Sequence, residues 1–440
     1  MKEEFLHYLW KYKLYDSTSL KDNEGNIINV IHPGDYNHDS GPDFFNARIL
    51  IGKTVWAGNV EIHTDASQFM LHGHHEDPAY NNVILHVVLK NDKKVYNSRG
   101  DEVLTVEIDY PPSIYDSYLT LVNNSYIIAC QDNLSDIDQF HINQWIHSLS
   151  IERLENKTTS VIDILNETGN DWDEVLYRMI CRYFGFRLNS EPFEMLSRSL
   201  PFRIIRKHSD YILQIEALLF GSAGMLEEGL FREAVKDKYY LDLAREFRAL
   251  SSKYNINKLH GYIWKFSRLR PVNFPTIRIS QLAHILSVAG GLFSHVIEAE
   301  TTQQLRQLLE VSASEYWHDH YVFGKKSRKI SGKTGVQATD LLIINSIIPV
   351  LFVYGRLRNR QDICERAVIL LESIATEENK IIREWKTAGI NARSAFESQA
   401  LIQLRNEYCR RRRCIDCRIG CMIISRGQKL RNDKELILEP

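Results

Sequence analysis

The chain has 440 residues, a formal net charge of -2, 44% hydrophobic and 25% charged residues, which is ordinary for a globular protein large enough to hold more than one domain. The near-neutral sum excludes a global nucleic-acid footprint, so any such surface must be local. The start, MKEEFLHYLWKYKLYD, has acids where a signal peptide is basic and no small-residue cleavage site, and LLIINSIIPVLFVYG (341–355) is interrupted by Asn345, Ser346 and Pro349; we expect no membrane span, a buried helix at 341–355 and a cytoplasmic location.

The periodicity predicts a helix over 2–13, with Phe5, Leu6, Leu9 and Trp10 on one face. Strands follow at 26–31, 45–51 and 54–64, the last two joined by Gly52-Lys53, a two-residue hairpin turn with Gly first. ASQFMLHGHH (66–75) reads as one or two helical turns, and NVILHVVLK (82–90) as a central strand. EVLTVEI (102–108) is a further strand, and Pro111-Pro112 closes the unit. From about residue 136 the pattern turns helical, as in 142–157, 172–186, 240–254 and 394–408, with apolar residues three and four apart. The expected fold class is α+β: an N-terminal α/β core at 1–112, a connection at 113–135, a large all-α domain at 136–408 and a cysteine-rich basic tail at 409–440.

The chemistry concentrates in GPDFFNARILIGKTVWAGNVEIH (41–63). Pro42 directs Asp43 into an extended segment. Pairing about the Gly52-Lys53 turn returns residue 43 toward residues 61–62, so Asp43 and Glu61 converge. Two carboxylates that close repel unless a cation or a proton lies between them, and a hard divalent ion, Mg or Mn, suits oxygen ligands. His63 shares the parity of Glu61 and stands about 6–7 Å along the same face, placed to ligate the metal or to hold or deprotonate a water. The plainer reading has Asp43 capping a turn and Glu61 facing solvent.

This arrangement resembles the PD-(D/E)XK phosphodiesterase superfamily, with Pro42-Asp43 as the PD element and Glu61-Ile62-His63 as the (D/E)XK element. The order of elements matches that superfamily's mixed-sheet αβββαβ core. The resemblance implies a metal-dependent nuclease in which Asp43 and Glu61 bind the ion, helped by the Ile62 carbonyl, and it points to Glu3 and Glu4 for the extra acid some members carry. His63 departs from the usual lysine, which is a cation at neutral pH where histidine mostly is not. Over its full length the chain also resembles a bacterial family known only as a domain of unknown function, through EEFLHYLWKY, IHPGDYNHDSGPDFFNA, WAGNVEIH, HGHHEDPAYNNVILHVV and the cysteine-rich tail.

A second polar set lies in that fourth run: His72, His74, His75, His86 and Asp77. His74 and His86 joining His63 would make a metal site that favours zinc, manganese or iron; alternatively these groups contact phosphate, or Asp77 opens a turn and His86 is a satisfied core histidine. His32, Asp35, Asn37 and His38 are candidates for the same mouth. In the tail, Cys409, Cys414, Cys417 and Cys421 fall within thirteen residues and suit a structural zinc or an iron–sulfur cluster. Cys130, Cys181 and Cys364 read as small buried hydrophobes. Arg410, Arg411, Arg412 and Arg413 form the strongest basic patch, and Lys325, Lys326, Arg328 and Lys329 form a second phosphate-facing loop. SRKISGKT (327–334) lacks the strand and first glycine of a P-loop. The sequence therefore supports a metal-dependent phosphodiester hydrolase acting on nucleic acid, DNA or RNA, with Asp43, Glu61 and His63 as catalytic residues and His74, Asp77, His86 and Glu4 nearby. The alternative is a non-catalytic nucleic-acid- or protein-binding module on a degenerate nuclease fold.

Overall fold

The computed structural model describes residues 3–435, apart from 19, 23, 24, 289, 290 and 330. The fold is α+β. The chain forms two compact units: residues 1–145, 387–389 and 404–440 make one, and 146–386 with 390–403 make the other. The boundary falls inside a helix, α4 (Gln139–Glu167), rather than near residue 112. Pro112 does not end the first unit. Its missing N–H costs nothing at a helix start, and it opens α3 (Pro112–Asn123), which packs on the C-terminal helix Arg418–Glu435.

In the first unit, α1 (Glu3–Lys11) buries Phe5, Leu6, Tyr8, Leu9 and Trp10. The sheet follows: β1 (Ile28–His32), β2 (Asp35–Tyr36), β3 (Phe44–Ile51), β4 (Thr54–Asp65), β5 (Val83–Lys90) and β6 (Thr105–Glu107), in the spatial order β1-β3-β4-β5-β6 with β2 also on β3. β1, β3 and β4 pair antiparallel, whereas β4-β5 and β5-β6 are parallel. A short helix, α2 (Gln68–Leu71), and a 3-10 turn at Pro78–Asn82 make the crossover that a parallel pair requires.

The β3–β4 ladder decides the position of Asp43. The hairpin starts at Ile51↔Thr54, and continued without interruption that register would set residue 43 opposite Ile62, on the wrong face. A bulge between Phe44 and Ala47, with Asn46 at φ +58°, inserts one residue, and Phe44 then pairs with Val60. Asp43 therefore comes opposite Glu61, on one face of the sheet. Across the parallel ladders Glu61 pairs with His86, and His86 with Thr105, so these side chains share that face.

The second unit is helical around one large apolar core, with a two-stranded ribbon, β7 (His320–Val322) and β8 (Lys325–Lys326). The apolar run at 341–355 is longer as a helix than its sequence suggested. Val336–Leu357 spans 22 residues, and its most apolar window has a mean hydropathy of 1.8, so it is long and apolar enough to cross a membrane; 67% of that window is buried within the protein. Pro349 cannot donate to the Asn345 carbonyl, and the helix answers with a π-turn at Ile343–Ile347. There the Asn345 side chain accepts from Lys157 Nζ at 2.9 Å.

Candidate active site

The face carrying Asp43 and Glu61 forms a compact polar cluster. The Asp43 N–H donates to Glu61 Oε2 at 3.1 Å, and the Ile62 N–H donates to Asp43 Oδ2 at 2.9 Å. Each carboxylate thus satisfies backbone at the point where the β3–β4 ladder ends. The crossover after β4 supplies imidazoles. Gly73, at φ +80°, turns the chain sharply enough to aim both His72 and His74 inward. His74 Nε2 lies 3.2 Å and His63 Nε2 3.6 Å from Glu61 Oε1. One ligand nitrogen from each of His63, His72 and His74 lies within 4.8 Å of the other two. His63 is 1% exposed, whereas His72 is open to solvent, so the cluster has a closed floor and an accessible mouth.

Behind His63 runs a relay that assigns its tautomer. The Thr105 hydroxyl donates to the Val103 carbonyl at 3.1 Å, so its oxygen accepts from His86 Nδ1 at 3.3 Å. His86 Nε2 then accepts from His63 Nδ1 at 2.9 Å. His63 Nε2 is left with a lone pair pointing at the cluster, 3.1 Å from His72 Nδ1. A buried partner that fixes the far nitrogen of an imidazole is the usual support of a metal-ligating histidine. Phe69 packs on the rings of His63, His74 and His86, and Tyr80 stacks on His74 with centroids 3.9 Å apart.

The electrostatics follow from burial. Burial pushes the Glu61 carboxyl up to about 7, opposed by the His74 hydrogen bond and assisted by the Asp43 charge. Burial also holds His63 neutral down to about 2 and His86 to about 3, reinforced by the neighbouring imidazoles. His7 on α1 behaves oppositely. Burial lowers its pKa, but its Nε2 lies 3.3 Å from Asp43 Oδ2, and that carboxylate together with the Glu3 and Glu61 charges raises the His7 pKa overall. Glu3, one turn earlier on the same helix face, is raised by burial and by Asp43, and its Oε1 is buried with no hydrogen-bond partner.

Asp43, Glu61, His63 and His74 are therefore gathered. His86 stands behind His63 rather than at the mouth. Asp77 is elsewhere, capping the 3-10 turn by accepting from the Ala79 N–H at 2.9 Å. Glu3, not Glu4, faces the cluster. Sequence reasoning did not single out His7; its signal was the four-residue spacing from Glu3, which puts both on one face of α1.

His7 also lines a groove of about 580 Å³ with Glu4, Tyr8, Lys11, Tyr12, Tyr36, His38, Tyr118 and the arginines Arg411, Arg412 and Arg413. Asn37 braces the loop before Asp43, donating to the Pro42 carbonyl at 3.1 Å, while His32 and Asp35 line a separate shallow depression. Lys325, Lys326, Arg328 and Lys329 lie exposed in the second unit, at and after β8. Of the tail thiols, Cys409, Cys414 and Cys417 line one cavity together with Cys130, whereas Cys421 donates to the Ile415 carbonyl at 3.0 Å.

With that geometry in place, the family match covers residues 3–380. The chain belongs to the family described as "Protein of unknown function (DUF2851)". The DUF2851 match includes α1, the whole sheet and the histidine crossover, and it ends before the cysteine tail. Comparison with curated proteins and with solved structures finds no match.

Proposed function

We propose that the protein is a metal-dependent phosphodiester hydrolase acting on single-stranded nucleic acid. The observation that carries this reading is the His63–His72–His74–Glu61 cluster lying beside a basic, tyrosine-rich groove that reaches it through His7. Three imidazoles and one carboxylate suit a borderline ion, manganese or zinc, better than magnesium, and the 3.1 Å between His63 Nε2 and His72 Nδ1 fits two nitrogens on one such ion. When bound, that ion would act as a Lewis acid on the phosphate and lower the pKa of a coordinated water.

The chain's own groups supply the rest. Asp43 orients the end of β4 through the Ile62 N–H and raises the His7 pKa, favouring its protonated form. His7, with Tyr36 OH 3.3 Å from its Nδ1, then stands at the groove end as the proton donor to a leaving oxygen. Arg411 and Arg413 hold phosphates, and Tyr8, Tyr12, Tyr36 and Tyr118 offer faces on which unpaired bases stack.

The test uses labelled single-stranded DNA and RNA with chelator-stripped protein and added Mn²⁺ or Zn²⁺. The reading expects cleavage that Glu61→Gln and His72→Ala abolish with binding retained, and that His7→Gln slows. Binding without cleavage under every metal condition makes the protein a binding module instead. Neither binding nor cleavage of either polymer removes the reading.

A further inference from the structure

We infer that Cys130, Cys409, Cys414 and Cys417, and not Cys421, bind an iron–sulfur cluster of the four-iron type. These four residues line one cavity, closed on one side by Leu121 and Tyr408. Cys130 lies in the segment between α3 and α4, far from the others in sequence but in the same compact unit. Cys421 is one helical turn past Cys417 and is turned away, its Sγ donating to the Ile415 carbonyl.

The spacing of the sulfurs selects the metal. A single tetrahedral zinc at about 2.3 Å from each thiolate needs sulfurs about 3.8 Å apart. Among the described residues no three of these thiols come within 4.8 Å of one another, whereas the ligand nitrogens of His63, His72 and His74 do. A cube with one iron at each of four corners holds its four thiolates farther apart than any single ion does.

The surroundings are those of an anionic centre. Cys417 precedes the C-terminal helix, and its sulfur is met by the backbone N–H groups of Ile419 and Gly420. Gly420 is required there, because a Cβ would stand 2.0 Å from the Cys414 carbonyl oxygen. The Trp145 indole N–H is buried without an oxygen or nitrogen partner and faces Cys417. Arg412 has a buried Nη1 with no partner and acts on both Cys409 and Cys414, while its Nη2 is anchored on the Asn124 carbonyl at 2.6 Å. A buried guanidinium nitrogen left without a partner beside these thiols is costly unless negative charge arrives. The loop these thiols close carries Arg411 to Arg413, so the cluster would also hold one wall of the groove.

The test is iron, zinc and acid-labile sulfide content, with visible absorption, of the full chain purified without oxygen. The inference expects about four irons and about four sulfides per chain, lost in Cys130→Ser and in Cys414→Ser and retained in Cys421→Ser. Should Cys130→Ser fail to fold, the wild-type iron count with the Cys414→Ser and Cys421→Ser pair decides the matter. Zinc without sulfide in the wild type, iron retained by soluble Cys130→Ser, or iron lost in Cys421→Ser would each overturn it.

Discussion

Replacing His86 by phenylalanine tests the relay behind the proposed metal site. His86 is fully buried, its ring 5.2 Å from Phe69, so a benzene ring keeps the packing and removes the acceptor and donor nitrogens. His63 Nδ1–H then loses its partner at 2.9 Å, and an unsatisfied buried donor costs about 1–3 kcal/mol of stability. The proton can escape that cost by moving to Nε2, where His72 Nδ1 waits at 3.1 Å and Glu61 Oε1 at 3.6 Å. That tautomer covers the lone pair a metal needs. Loss of such a supporting partner lowers metal affinity about 10–100-fold, or about 1.4–2.7 kcal/mol. The assay is competition for Mn²⁺ against a chromophoric chelator, since thiolates do not favour that ion. His86→Gln, which restores an acceptor, should recover part of the affinity. Wild-type Mn²⁺ affinity in His86→Phe would refute the reasoning, because it would mean that His63 does not depend on the relay or does not ligate.

Further expectations concern stability, salt and the bulge. In chelator, His63 and His86 stay neutral in the folded chain down to about 2 and about 3, but charge near 6.5 when unfolded; their contribution is therefore lost as pH falls below about 6.5. Glu61, raised to about 7, opposes this, since its contribution is present below about 4.5 and lost as pH rises through 7. Two bases against one acid leave a net fall of about 1–2 kcal/mol per pH unit near pH 5, read by denaturant melts, and His63→Phe/His86→Phe should reverse the slope. Mn²⁺ at about 100 times its Kd should stabilise the chain by about 2.7 kcal/mol, and His72→Ala should abolish that gain in a thermal melt. Arg411→Ala/Arg413→Ala should weaken single-strand binding and flatten the log–log salt slope by about 1.4. Asn46→Val, forced to positive φ, should cost about 1–2 kcal/mol while Asn46→Gly costs less; deleting Asn46 should abolish cleavage by moving Asp43 to the other face.

The sheet was largely legible in the sequence because its strands alternate or run apolar between turn residues, and because Gly52-Lys53 fixes the hairpin. The convergence of Asp43 with Glu61 was legible only to within one residue. The bulge at Asn46 settles it, and a polar residue inside an alternating strand is a weak sign of positive φ. The crossover histidines stood out by density, but their division of labour did not: His72 and His74 reach the mouth because Gly73 turns the chain, and His86 lies one strand over, behind His63. Cys130 is buried, as its apolar setting in the sequence suggested, but that its thiol neighbours come from the far end of the chain was not legible, because nothing local points to them. Pro111-Pro112 read as a stop because proline breaks structure on one side of a helix and starts it on the other.

Manganese-edge X-ray absorption of the Mn²⁺-loaded chain tests most directly whether the imidazole cluster is a metal centre. The first shell should hold three imidazole nitrogens and a carboxylate oxygen, and should lose imidazole scattering in His72→Ala. A shell of oxygens alone, unchanged by that substitution, would contradict it.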